Sequence, residues 1–253
     1  MTICISAICT EQEEEHIVFA VDHMITTPNG EFEHAIKKYK EINKNTVGML
    51  AGQALLMDFF MDLDNFDSDY ETIQNTIENK FKEKRLDIIQ KTVLDHYLVD
   101  VNFVRQNLTE EIKNPFIEKI FKHITNTTLD TAILLIGFCG DSAQISEIGE
   151  GGSYKLNDIN FHAIGSGADQ ARNTLLFQKH SSEDNLATTL YNVYKAKKNA
   201  EVKQGVGRET EIGYLNKKGM KLLNQENINI LDDIYYIELN CGKEHKKLNE
   251  LNL

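Results

Sequence analysis

The stretch Thr2-Ile3-Cys4-Ile5-Ser6-Ala7-Ile8-Cys9, followed by Ile17-Val18-Phe19-Ala20-Val21-Asp22, decides the fold of this chain. Each run is apolar, rich in β-forming residues and about as long as one strand. The polar segment 10–16 that joins the two runs predicts a β-hairpin at the start of the chain. The second strand ends at Asp22, so its carboxylate is expected beside the start of the first strand, where Thr2 lies.

Thr2 carries both a nucleophile and a base if it stands at a free amino terminus. Methionine aminopeptidases remove Met1 when the second residue is as small as threonine, so we expect the mature chain to begin at Thr2. The hydroxyl would then attack, and the α-amine, with a reference pKa of about 7.7 to 8.0, would accept the hydroxyl proton near neutral pH. Threonine after methionine is common, however, so this hypothesis needs supporting residues.

Three later features supply that support. Lys37 and Lys38 follow the hairpin, and a lysine held close to Thr2 lowers the proton affinity of its amine and hydroxyl. Asp22 would hold that lysine in place. Gly52 falls where a predicted strand gives way to a helix, so its backbone N–H is free to bind a developing oxyanion.

In this order, the residues resemble the proteasome β-type family of amino-terminal-nucleophile hydrolases. The matching segments are Ala20-Val21-Asp22-His23-Met24-Ile25-Thr26, Lys37-Lys38-Tyr39-Lys40-Glu41-Ile42 and Ala51-Gly52, with a softer match at Ala163-Ile164-Gly165-Ser166-Gly167 and Gly205-Val206-Gly207. They correspond to the family patterns A-x-D-x-x-x-T, K-K-ψ-x-x-I, A-G and G-S-G. The resemblance implies an α+β fold, a four-layer αββα sandwich of the amino-terminal-nucleophile hydrolase type.

The resemblance also implies roles for individual residues. It makes Thr2 the nucleophile and Gly52 the donor to the oxyanion. It makes Asp22 and Lys38 the charge pair beside the nucleophile, although the neighbouring Lys37 stays open as the alternative lysine.

The later part of the match departs from the family pattern. The family places the serine of its G-S-G turn beside the nucleophile, which here is Ser166; a helix N-cap is the equally open interpretation of that serine. In the family an aspartate and a serine precede the glycine pair and complete the network. The closest candidates here are Glu201 and Gln204, ahead of Gly205 and Gly207, so Glu201 is the candidate acid.

Three residues are implied in substrate binding. Thr26 comes from the pattern that contains Asp22, and Leu50 and Ala54 border the family's pocket for the side chain before the scissile bond. Both pocket residues are apolar, which favours a weak hydrophobic preference. The implied partners are a peptide or unfolded-protein substrate and further copies of the chain in a homo-oligomeric ring.

Composition excludes several other classes of function. The net charge of −12 argues against a nucleic acid partner. Four cysteines without C-x-x-C spacing indicate reduced thiols and a cytoplasmic location. The histidines are scattered without metal-ligand spacing, so no metal and no cofactor is expected. An apolar run long enough for a membrane span or secretory signal is missing, so no membrane partner is expected.

Residues 1–241 are expected to form a single domain, and 242–253 a mobile tail. Predicted strands cover 46–51, 131–138, 144–148, 161–164, 209–215 and 233–239, and predicted helices cover 168–179 and 182–200. The helical pattern between 55 and 127 is about twenty residues too long for two ordinary helices. A helical insertion is therefore expected within about 85–127, with an extra helix over 110–124 capped by Thr109.

The leading hypothesis is a threonine-type endopeptidase that uses Thr2. Two alternatives stay open. An amidohydrolase or peptide transferase would use the same nucleophile and hand the acyl group to an amine. A catalytically silent structural ring subunit would use none of these residues, and the joint presence of Thr2, Asp22 and Lys38 argues against it.

Overall fold

A computed structural model describes residues 2–27, 30–34, 36–53, 56–63, 68–107 and 114–243, and the fold is mixed α and β. The strands are β1 (Ile3–Glu11), β2 (Glu14–Asp22), β3 (Met24–Thr27), β4 (Gly30–Glu33), β5 (Tyr39–Asn43), β6 (Thr46–Ala51), β7 (Ala132–Cys139), β8 (Ser142–Gly149), β9 (Gly152–Lys155), β10 (Phe161–Gly165), β11 (Thr210–Asn216) and β12 (Gly219–Leu222). The helices are α1 (Met57–Met61), α2 (Tyr70–Ile89), α3 (Val101–Gln106), α4 (Pro115–Asn126), α5 (Ala168–Phe177), α6 (Leu186–Ala200) and α7 (Gln225–Lys243).

Two five-stranded antiparallel sheets carry the fold. The first has the strand order β10-β1-β2-β11-β12, and the second has the order β5-β6-β7-β8-β9. The hairpin predicted at the start of the chain is confirmed as β1 and β2, which pair in register from Cys4 opposite Val21 to Glu11 opposite Glu14. The short strands β3 and β4 form a separate two-stranded ribbon.

Side chains on β1 alternate between two cores, which explains why its sequence is apolar throughout. Ile3 and Ile5 pack in a core that includes residues of α5, α6 and α7. Cys4 and Ile8 point the other way and pack with residues of the second sheet, such as Met49. A third core joins the outer face of the second sheet to α1 and α2. Both sheets are therefore buried on both faces.

The described part of the segment between β6 and β7 contains four helices, α1 to α4. After α2 the chain forms a π-helical turn, Gln90–Leu94, and a 3-10 turn, Asp95–Tyr97, before α3 and α4. These elements share a small core of their own, made of Ile89, Val93, Leu94, Val104 and Ile120.

The extra helix exists, but its predicted start is wrong. It begins at Pro115 and not at Glu110, and the side chain of Asn114 caps it by accepting from Phe116 N at 2.9 Å. Proline suits the first helical position, because the N–H that it lacks would have no partner there. The predicted cap, Thr109, lies outside the described residues.

The last predicted strand is also wrong, because 233–239 lies within α7. Leu231 and Tyr235 stand four residues apart and are buried on one side of that helix, a spacing that fits a helical face as well as a strand. β12 takes the outer place in the first sheet. Since α7 extends to Lys243, the segment assigned to a tail from 242 starts inside a helix; 244–253 lie outside the described residues.

The core between the sheets can be tested at Ile136, which lies on β7 and is 0% exposed. We expect Ile136→Ala to lower the free energy of unfolding by about 2–5 kcal/mol, because it deletes buried methylene groups and leaves a cavity. Ile237→Ala is the matched control, since Ile237 is 62% exposed on α7, and its effect should stay within about 0.5 kcal/mol. Urea denaturation monitored by circular dichroism measures both free energies of unfolding. Equal decreases in the two variants would contradict the burial of Ile136 between the sheets.

Candidate active site

The start of β1 and the end of β2 meet at one end of the first sheet. Antiparallel pairing sets Cys4 opposite Val21, which places Ile3 beside Asp22 and brings Thr2, the residue before Ile3, close to the same carboxylate. The Thr2 hydroxyl donates a hydrogen bond to Asp22 Oδ1. Both residues are buried, Thr2 to 2% exposure and Asp22 to 0%.

Lys38 joins this pair from the segment just before β5. Its Nζ donates to Thr2 Oγ1 and to the carbonyl of Met24, and it lies 2.8 Å from Asp22 Oδ1. Lys37 is exposed and lies over the ring of Tyr39, with its Nζ 5.8 Å from the ring centroid. Of these two lysines, Lys38 is therefore the one that contacts Thr2.

The Asp22 carboxylate is surrounded by donors. Oδ1 accepts from Thr2 Oγ1, Lys38 Nζ and Ile3 N, and Oδ2 accepts from Met24 N at 3.2 Å and Gly207 N at 2.7 Å. A carboxylate buried this completely is stable only when its oxygens are paired. These contacts therefore fix the orientation of Asp22 and, through it, of Lys38.

Gly52 directly follows β6 and lies beside Thr2. Its φ is +138°, and a Cβ there would stand 2.4 Å from the carbonyl oxygen of Asp130, so only glycine fits. Thr2 and Gly52 line the same cleft, which has a volume of about 480 Å³. Its walls also include Gln53, Asp130, Thr131 and Ser166. The predicted nucleophile and the predicted oxyanion donor thus border the same space.

Ser166 borders the same cleft. Its hydroxyl donates to the carbonyl of Thr2 at 3.3 Å. The alternative interpretation as a helix N-cap is wrong, because Gly167 occupies the N-cap position of α5 and no side chain caps that helix. Ser166 therefore fixes the backbone of the residue that carries the hydroxyl.

Glu201 lies elsewhere. Its carboxylate pairs with Lys197 at 2.7 Å and with Lys198 at 3.5 Å, and not with Thr2. Lys197 is fully buried on α6. Burial lowers the pKa of Lys197, against the attraction of Glu201 and Asp22. Sequence analysis missed Lys197, and its one signal was the four-residue spacing to Glu201, which is far more often a pair on a solvent-exposed helix face.

Of the three predicted substrate-binding residues, the structure describes Leu50 and the backbone of Thr26. Leu50 is buried in the core shared with α1 and α2 and is not part of the cleft wall beside Thr2. The backbone of Thr26 pairs with Glu31 in the β3–β4 ribbon. Ala54 lies outside the described residues.

Comparison with protein-family models and with curated protein sequences finds no match for this chain. In the described part of the chain, no three His, Cys, Asp or Glu side chains are grouped as a metal site requires. Nor does any helix of the described ranges combine the length and apolarity that a membrane crossing needs. The site presents a hydroxyl between an ammonium and a carboxylate, at the wall of a cleft.

The charge pair gives a prediction about stability. Asp22→Asn removes the counter-charge of Lys38, whose side chain is 5% exposed, so the free energy of unfolding should fall by about 3–5 kcal/mol. Adding Lys38→Met should restore part of that loss, because no unpaired charge is then left. Asp141→Asn is the control, since its pair with Lys217 is exposed and contributes little. Additive losses in the double variant, measured by urea denaturation, would show that the two groups do not interact.

Proposed function

We propose that this protein is a threonine-type peptidase that uses Thr2 as its nucleophile. One observation carries the proposal: Lys38 Nζ and Asp22 Oδ1 both contact the Thr2 hydroxyl, and Thr2 borders a cleft. An ordinary buried threonine needs only one partner for its hydroxyl. Here both members of a salt bridge, Lys38 and Asp22 at 2.8 Å, contact the hydroxyl. Such an arrangement is typical of an activated nucleophile.

The packing of the elements supports the same proposal. Cores lie between α5–α7 and the first sheet, between the two sheets, and between the second sheet and α1 and α2. We assign this order to the four-layer αββα sandwich of amino-terminal-nucleophile hydrolases. The resemblance further implies peptide or unfolded-protein substrates and a homo-oligomeric ring, and both belong to the proposal.

The proposed reaction has two steps. Thr2 Oγ1 attacks the peptide carbonyl carbon, the hydroxyl proton passes to the free α-amine of Thr2, and that amine then protonates the leaving amine as the peptide C–N bond breaks. Lys38 Nζ stabilises negative charge on Oγ1, and the N–H of Gly52 is assigned to the carbonyl oxygen. Water, deprotonated by the same α-amine, then cleaves the ester and restores the Thr2 hydroxyl.

The proposal requires cleavage of the bond before Thr2, and mass spectrometry tests it. A peptide epoxyketone reacts with both the hydroxyl and the amine of an amino-terminal threonine. We expect an intact mass that begins at Thr2 and a single adduct that peptide mapping places on Thr2. Thr2→Ala should form no adduct. A Met1 that is retained, with no adduct on the unmodified sequence, would rule out this function.

The two neighbouring lysines separate the proposed role from a general effect of charge. We expect Lys38→Met to lower the rate of adduct formation by roughly 10²–10³, the range found when one group that stabilises developing negative charge is removed. Lys37→Met removes the same charge one residue earlier, where the side chain is exposed, and should leave the rate unchanged. Both rates are measured by stopping the epoxyketone reaction at successive times and determining the fraction of adduct from the intact mass. An equal decrease in rate for the two variants would mean that the loss of a positive charge near the site, and not the contact of Lys38 with Thr2, causes the effect.

A further inference from the structure

The mechanism above does not use Lys197, although Lys197 is among the largest fully buried side chains of the protein. Its Nζ donates to Glu201 Oε1 and to the carbonyl oxygen of Arg208, each at 2.7 Å. Lys197 therefore connects helix α6 to the backbone of the segment that leads into β11.

That segment also contacts the site. Gly207, the residue before Arg208, donates its N–H to Asp22 Oδ2 at 2.7 Å. Gly205 has a φ of +84°, a left-handed backbone conformation that favours glycine. A Cβ on Gly207 would stand 2.7 Å from Glu33 Oε1, so a side chain at Gly207 would crowd Glu33. The two-residue segment Gly207–Arg208 thus lies between two buried charged groups: Asp22 accepts from the N–H at its start, and Lys197 donates to the carbonyl at its end.

We propose that Lys197, paired with Glu201, is a positioning residue for the Asp22 carboxylate and acts through the backbone of Gly207 and Arg208. The inference rests on the proposed function, because it concerns how Asp22 is held beside Thr2. In this arrangement Glu201 acts on the site without contacting Thr2. Its carboxylate accepts from Lys197 Nζ, Lys197 Nζ donates to the carbonyl of Arg208, and the neighbouring Gly207 N–H donates to Asp22.

Stability alone is a poor explanation for this lysine. The desolvation of two charges offsets most of their attraction, so a buried ion pair adds little net stability over apolar side chains of similar volume. A fully buried ammonium does one thing that an apolar side chain cannot, which is to bind a carbonyl oxygen. Here the bound carbonyl is that of Arg208, next to the residue that donates to Asp22.

Lys197→Met tests the proposal, with two measurements on the epoxyketone reaction and one on the backbone. We expect the saturating rate of adduct formation on Thr2 to fall about tenfold, because small displacements of a reacting group carry a large cost. The half-saturating concentration should not change, because Lys197 is not part of the cleft wall. The Gly207 amide should exchange its hydrogen faster in NMR, while amides in the core between the sheets keep their protection.

The matched control is Lys195→Met, on the same helix. Lys195 also pairs with a glutamate, Glu238, but on the α7 side, away from Gly207; all three measurements should match the unmodified protein. If Lys197→Met does not fold because Glu201 loses its main partner, Lys197→Met with Glu201→Leu removes both charges and should show the same three changes.

The outcomes separate this inference from the proposed function. An adduct that forms at the same saturating rate with and without Lys197, with Gly207 exchange unchanged, overturns the positioning role and leaves the threonine nucleophile standing. A higher half-saturating concentration with an unchanged rate also overturns it, since that would place Lys197 in substrate binding. No adduct on the unmodified protein overturns the proposed function and this inference together.

Discussion

The buried negative charge of Asp22 is the constraint on which the site depends. A carboxylate with no exposure to water has to be paired on both oxygens, and here its partners come from four separate parts of the chain. Thr2 and Ile3 start β1, Met24 starts β3, Lys38 precedes β5, and Gly207 precedes β11. The need to satisfy one charge thus brings together the segments that define the candidate active site.

The cleft follows from a second constraint, which is steric. Gly52 and Gly165 both have positive φ, and in each case a Cβ would collide with backbone atoms, those of Asp130 and of Thr2 respectively. Gly52 therefore lets the end of β6 approach the segment just before β7, and Gly165 lets the end of β10 approach Thr2. Both glycines line the cleft beside Thr2.

The sequence was sufficient for the parts of the fold that depend on local pattern. The hairpin and β7 are predicted because strands buried on both faces are apolar at every position. The prediction from alternation fails for 233–239, where Ile234, Tyr235, Tyr236 and Ile237 also favour a strand by residue type. Packing against α6 selects the helix, as shown by the contacts of Tyr194 with Asp232 and of Tyr235 with Asn199.

The candidate site divides in the same way. Thr2, Asp22 and Gly52 stand at strand ends, so their meeting could be predicted from strand boundaries. The choice between Lys37 and Lys38 depends on which side of the chain each one faces, and a shift of one residue reverses that choice. Lys197 could not be predicted, because its burial arises from the packing of α6 on the first sheet and from a backbone carbonyl eleven residues later.

The pairing of β2 with both β1 and β11 has a consequence for synthesis of the chain. Thr2, Asp22 and Lys38 leave the ribosome well before Gly207, which follows only after β5–β10 have been made. Until β11 pairs with β2, Asp22 Oδ2 has no donor from Gly207, and the Lys197 contact to Arg208 cannot form. A nascent chain therefore carries Thr2 without its complete surroundings, so the order of translation delays assembly of the candidate site until β11 has been made.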